Sequence, residues 1–284
     1  MPLHPSGPDD ANGLIEAYGQ TVQALLDLGQ SMRDADFDRP TDCPGWTVKD
    51  VYSHVVGVEA FLSGAPTPEV TIPAYDHLTR PAQQVTEPMV EARRGTPGPD
   101  IVEELGHVFQ ERLAILYGAN LDLDSDFRGV FGVAPLRESL GTRVLDIWTH
   151  EQDVREALGR PGNLDSPAAA VTMERFAAGV PMVVARRAGI APGETVIFDI
   201  TGPVVGRIGV RVEEVDGKAR GIALFSGEAS TAPESDGQTT SITLSTQAFT
   251  RRAAGRGGVD DVHWTAQGDQ AVARRVLESL AMTP

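Results

Sequence analysis

The run Arg143-Val144-Leu145-Asp146-Ile147-Trp148-Thr149-His150-Glu151-Gln152-Asp153-Val154-Arg155 lies inside the strongest helical signal of the chain. That signal extends from about Pro135 to Leu158. It stops at Gly159-Arg160-Pro161-Gly162, where glycine accepts left-handed backbone and proline cannot continue the hydrogen-bond ladder. Four residues make about one helical turn, so Asp146 and His150 project from the same face. Working outward, the preceding sequence repeats the helical period. Leu14, Tyr18, Val22, Leu25 and Leu28 recur at three- and four-residue steps and predict a first amphipathic helix. Thr47-Val48-Lys49-Asp50 reads as a variant capping box, with Thr47 as N-cap, Asp50 three residues on, and Trp46 and Val51 placed as a hydrophobic staple. It opens a second helix that runs to about Leu62 and carries His54.

Between residues 64 and 99 stand Pro66, Pro68, Pro73, Pro81, Pro88, Pro97 and Pro99. This is a long connection with room for one short helix, and long connections in compact domains are often functional. A third helix is expected from about Asp100 to Gly118, a loop over Gly129 to Pro135, and a fifth helix from Ser166-Pro167, a good N-cap and first-turn pair, to about Ala188. Near residue 190 the apolar period shifts towards two. Thr195–Ile200, the pair Arg207–Val215 and Lys218–Phe225 around Asp216-Gly217, Thr240–Leu244 and Val262–Ala266 read as strands. Short helices follow Thr246 and Asp269. The expectation is a two-domain chain: an antiparallel helical bundle over residues 1–190 and a small α+β domain over residues 191–284.

The bulk properties narrow the function. The 284 residues suffice for one large or two modest domains, and 41% hydrophobic content supports packed cores. The formal net charge of −16 argues against nucleic acid and against anionic membrane surfaces, both of which select basic faces. A single cysteine, Cys43, fits a reducing compartment. The N-terminus shows no basic, then apolar signal-peptide pattern, and no uncharged apolar run reaches the ~20 residues of a membrane span. The expectation is a cytoplasmic protein without membrane or nucleic-acid partners, a monomer or weak homo-oligomer.

Asp146 and His150 form a metal half-site, and His54 on a neighbouring helix can complete it. Two imidazoles and a carboxylate leave open positions on zinc, and the same set suits nickel or iron. Against this stands the ordinary frequency of acid–histidine pairs on helix surfaces. The zinc-protease reading of His150-Glu151 fails because position 154 is Val154. Asp153, three residues after His150, is placed to orient that ring. Cys43 precedes a helix, where a thiolate is favoured, yet a small buried packing residue is the better reading. His107 reads as a solvated or core histidine, and Trp46 and Trp148 as core or pocket wall. Arg251, Arg252 and Arg256 form a cluster whose guanidinium groups suit carboxylates.

The segment Cys43-Pro44-Gly45-Trp46-Thr47-Val48-Lys49-Asp50-Val51 with His54, together with residues 143–155, resembles the mycothiol-dependent maleylpyruvate isomerase family, part of the wider DinB/YfiT-like four-helix group. Phe249-Thr250-Arg251-Arg252-Ala253-Ala254-Gly255-Arg256 and Gly268-Asp269 resemble that family's sterol-carrier-like C-terminal domain. The resemblance implies His54, Asp146 and His150 as ligands of a divalent ion, zinc first, and mycothiol as the thiol cosubstrate. It also implies an arginine among Arg251, Arg252 and Arg256 that binds an acidic substrate. The family pattern usually has glutamate where this chain has Asp146, a side chain one carbon–carbon bond shorter. The implied function is a metal- and thiol-dependent isomerase or S-transferase acting on a small electrophile. Two other classes stand beside it: a non-enzymatic metal or small-molecule binding protein, and a thiol-independent hydrolase using metal-bound hydroxide.

Overall fold

A computed structural model describes residues 3–118, 121–225 and 237–283. They form a helical N-terminal unit and a mixed-sheet unit, two compact bodies spanning residues 8–162 and residues 1–7 with 163–283.

In the helical unit, α1 (Ala11–Gln30), α2 (Val48–Leu62), α4 (Gly98–Gly118) and α5 (Leu136–Leu158) are the long elements, with the shorter α3 (Pro81–Glu91) inside the proline-rich connection. The N-termini use their caps: the Asp10 carboxylate accepts from Gly13 N at 2.8 Å, and the Thr47–Asp50 box is formed in both directions. Gly159 ends α5 at φ +65°, the left-handed stop expected of it. Helix α1 packs on α4 and α5, and α2 on α3, α4 and α5. Tyr18, Val22, Leu25, Val51, Tyr52, Val55, Leu105, Val144, Ile147 and Trp148 fill the core, and the imidazoles of His54 and His150 lie at its edge. The stretch expected as a loop is instead a β-hairpin, β2 (Asp126–Gly129) paired with β3 (Gly132–Pro135). Val130 and Phe131 make its turn, Gly132 follows at φ +121°, and Ser139 Oγ donates to the Phe127 carbonyl at 3.2 Å, fastening the hairpin to α5.

In the other unit, β1 (Leu3–His4), β4 (Thr195–Thr201), β5 (Val205–Val215), β6 (Lys218–Leu224), β7 (Thr239–Leu244) and β8 (Trp264–Gln267) form one sheet in the order β1-β5-β4-β7-β8, with β6 also on β5. The β4–β7 pair is parallel and the other pairs are antiparallel. Helices α6 (Pro167–Met182), α7 (Thr246–Ala253) and α8 (Gln270–Glu278) pack on it. The compact units divide at Gly162–Asn163, not near residue 190: α6 has a helical period yet packs against β1, β5, β6 and α7 of the sheet unit. With its π-helical continuation Val183–Arg187, α6 is long and apolar enough to cross a membrane by length and composition. However, 67% of the most apolar stretch is buried, as in a core helix.

The α6–β6 approach is close. A Cβ added at Gly221 would overlap the Pro181 carbonyl oxygen, backbone that cannot swing away. Gly221→Ala is expected to cost about 1–3 kcal/mol, read as a lower urea midpoint with unchanged slope. An unchanged midpoint would show that the two segments separate at no cost.

Candidate metal centre

Helices α2 and α5 bring the three candidate ligands, His54, Asp146 and His150, together. His54 Nε2 lies 3.1 Å from Asp146 Oδ2, and His150 Nε2 lies 3.7 Å from Asp146 Oδ1. One donor atom from each residue falls within 4.8 Å of the other two. Ligands about 2.0–2.1 Å from a tetrahedral zinc-like ion stand roughly 3.3–3.4 Å apart, so these separations bracket what such an ion needs. Both histidines are buried, and the Asp146 side chain is 31% exposed, which opens the group on one side.

The protonation states suit ligation. Burial lowers the pKa of His54, against the pull of Asp146, so the ring is neutral with a lone pair to give. Burial works against a charge on Asp146, but His54, Arg143 and His150 outweigh it and hold the carboxyl well below its usual range. The Arg143 guanidinium donates from Nη1 to Asp146 Oδ2 at 2.6 Å. His150 Nδ1 faces the acceptor-only Asp153 Oδ2 at 3.1 Å, so the proton sits on Nδ1 and the lone pair of Nε2 is left for a metal ion. Asp153 is thus placed as expected from its spacing. His54 has no such carboxylate: its Nδ1 is buried and finds no hydrogen-bond partner among the described residues.

Other residues surround the trio, and Glu59 among them went unnoticed in the sequence. Glu59, fully buried on α2, accepts from Arg143 Nε at 2.8 Å and from the Tyr18 hydroxyl at 2.8 Å, and lies 3.5 Å from Arg112 Nε. It anchors the arginine that holds Asp146. Cys43 is buried; its thiol donates to Asp153 Oδ2 at 3.1 Å and lies 3.8 Å from His150 Nδ1, so its packing place is also a polar one. Cys43, His150 and Asp153 form a second group with metal-ligand spacing. Because it shares His150 through the opposite ring nitrogen and is buried on all three members, it reads as support for the first. The Trp46 ring centroid is 5.1 Å from that of His54 and 5.8 Å from that of His150. His107 is exposed.

The arginines of the sheet unit differ in setting. Arg252 is buried and donates to the carbonyls of Arg256, Gly257 and Leu277. Arg256 is buried and donates to the Ala254 carbonyl at 2.8 Å. Arg251 is half-buried; burial and the neighbouring Arg256 lower its pKa.

Residues 18–155 match the mycothiol maleylpyruvate isomerase N-terminal domain. Among solved structures, the chain is similar to "the mycothiol-dependent maleylpyruvate isomerase". That match has 16% identity and a TM-score of 0.56, and covers 90% of this chain and 92% of the other. A histidine-to-alanine mutant of the mycothiol-dependent maleylpyruvate isomerase matches at 15% identity and a TM-score of 0.54, with the same shares covered. At such identities the likeness shows the two-domain fold. No curated protein sequence matches.

Proposed function

Residues 18–155 belong to the mycothiol maleylpyruvate isomerase N-terminal domain family, and from this premise we propose that the chain is a metal- and mycothiol-dependent isomerase or S-transferase of a small electrophilic, acidic substrate. The observation that carries the reading is the convergence of His54, Asp146 and His150 on one partly open point, with ring and carboxylate states already suited to a divalent ion. A divalent ion held there, zinc in the first instance, supplies Lewis acidity that lowers the pKa of a thiol in its coordination sphere and so furnishes a thiolate at neutral pH.

The chain's own residues prepare that point. Asp153 keeps the His150 proton on Nδ1, and Arg143, anchored by Glu59, keeps Asp146 ionised and fixed. Addition of the cosubstrate thiolate to the electrophile forms a carbon–sulfur bond and saturates its double bond, with a proton taken up at the adjacent carbon. Rotation and the reverse elimination return the thiol and give the other isomer. In an S-transferase the adduct is the product. Arg251, Arg252 and Arg256 together are the candidates for binding a carboxylate.

The test is turnover of maleylpyruvate by zinc-loaded protein with and without mycothiol. Isomerisation that requires the thiol is expected. Hydrolytic turnover of ester or amide substrates without thiol would put the hydrolase reading ahead, and metal binding with no turnover of any of them the binding-protein reading. Because the nucleophile comes from the cosubstrate, Cys43→Ser is expected to retain metal and at least about half of the activity; the serine hydroxyl can still donate to Asp153. Complete inactivation of folded, metal-loaded C43S protein would point to a protein thiol as nucleophile.

A further inference from the structure

Metal-binding histidines are usually oriented by a hydrogen bond on the ring nitrogen away from the metal. His150 has Asp153 in that role, but His54 Nδ1 is buried without a partner among the described residues. What lies against the His54 ring is Trp46, whose indole also covers His150, while the two imidazole centroids are 4.8 Å apart. The indole is itself tied down. Trp46 Nε1 donates to Glu87 Oε2 at 3.1 Å. Glu87, on α3, is completely buried; its Oε1 accepts from Arg94 Nη2 at 2.7 Å, and its Oε2 lies 3.3 Å from His77 Nε2. Arg94 in turn reaches Asp50 Oδ1 at 3.2 Å and Glu91 Oε2 at 2.7 Å.

A buried carboxylate on the short helix of the proline-rich connection therefore ends on the ring that presses both candidate ligands. We propose that Glu87 is a positioning residue for the metal centre, acting through the Trp46 indole N–H to hold the His54 and His150 rings in ligating orientation. Orientation fixed in advance removes an ordering cost from binding, so the effect falls on metal affinity. The inference rests on the proposed metal site for its functional consequence, whereas the indole tether can be read without metal.

The test is a double-mutant cycle on the full chain. Cobalt affinity is measured by chelator competition for wild type, Glu87→Ala, Trp46→Phe and the double variant, with Glu87→Gln as the conservative control. Glu87→Ala and Trp46→Phe are each expected to weaken cobalt binding about tenfold, the low end of the range for partners beyond the ligands. The double variant should be no weaker than either single. Glu87→Gln, which keeps an acceptor for the indole, should stay within about threefold of wild type. Independent, additive losses, or unchanged affinity in Glu87→Ala, would overturn the proposal. In parallel, the Trp46 indole proton is followed by nitrogen–proton correlation spectra of metal-free protein. Its resonance should move and broaden in Glu87→Ala and be retained in Glu87→Gln. An indole indifferent to Glu87→Ala overturns the tether whether or not cobalt binds, whereas wild-type protein that binds no cobalt, with the indole behaving as expected, removes the metal reading.

Discussion

Protein carrying His150→Ala is expected to fall from about one divalent ion per chain to less than a tenth of that, because two remaining donors do not hold a zinc-like ion tightly. The loss is local. His150 donates to Asp153, which also accepts from the Cys43 thiol, so the substitution leaves that buried carboxylate with a partner. Far-UV circular dichroism and the thermal midpoint of the variant should show a folded chain. Elemental analysis after dialysis reads the stoichiometry, and thiol-dependent turnover should disappear with the metal. Asp146→Asn should weaken the ion strongly without changing side-chain size. Asp146→Glu lengthens the carboxylate by one methylene towards the open side of the group and should keep stoichiometric metal. Metal content in the double variant His54→Ala, His150→Ala equal to that of wild type would remove this assignment altogether.

The second large effect concerns stability. Glu59 is completely buried and faces Arg143, Arg112 and the Tyr18 hydroxyl, drawn from α5, α4 and α1. Removing one side of a buried ion pair leaves the other charge stranded in a medium of low polarity, a loss of roughly 3–5 kcal/mol. Glu59→Ala would leave the Arg112 guanidinium, with a side chain only 2% exposed, without its carboxylate, whereas Arg143 keeps its pair with Asp146, so the loss is expected within that range. Glu59→Gln keeps hydrogen-bond acceptance and should lose less. The measurement is urea unfolding of the metal-free protein, so that ligation does not mask the difference. A Glu59→Ala variant within about 1 kcal/mol of wild type would mean that Arg143 and Arg112 reach solvent or other partners. Because Arg143 also holds Asp146, the same variant should bind metal more weakly even where it folds.

The contrast between His150 and Glu59 shows what can be read from the chain before folding. Asp146 and His150 stood out because one helical turn relates them, and His54 because its capped helix was marked by Thr47 and Asp50; all three arise from local chemistry. Glu59, Glu87 and Arg143 are charged residues on amphipathic helices, and one-dimensional patterns assign such residues to solvent. Only packing reveals that Glu59 is buried with Arg143, and Glu87 against Arg94 and Trp46. The hairpin at residues 126–135 was missed because its strands are four residues each, too short for alternation to show. The domain division was displaced for a different reason. Helix α6 was correctly seen as a helix, but periodicity says nothing about which neighbour an apolar face meets. Arg251, Arg252 and Arg256 looked equivalent on paper, and burial separates them.

Pairing of Leu3 and His4 with Gly206 and Val205 gives the sheet unit a thread that precedes the whole helical unit in the chain. On a ribosome adding about 5–20 residues per second, roughly 10–40 s pass between synthesis of the first strand and of its partner. Helices α1 to α5 are complete well before then, and each can pack on segments already made. The helical unit, with His54, Asp146 and His150, can thus be assembled while the leading strand is still unpaired. A nascent chain arrested once residue 162 has emerged from the ribosome should already resist protease over α1 to α5 and leave residues 3–4 open to attack.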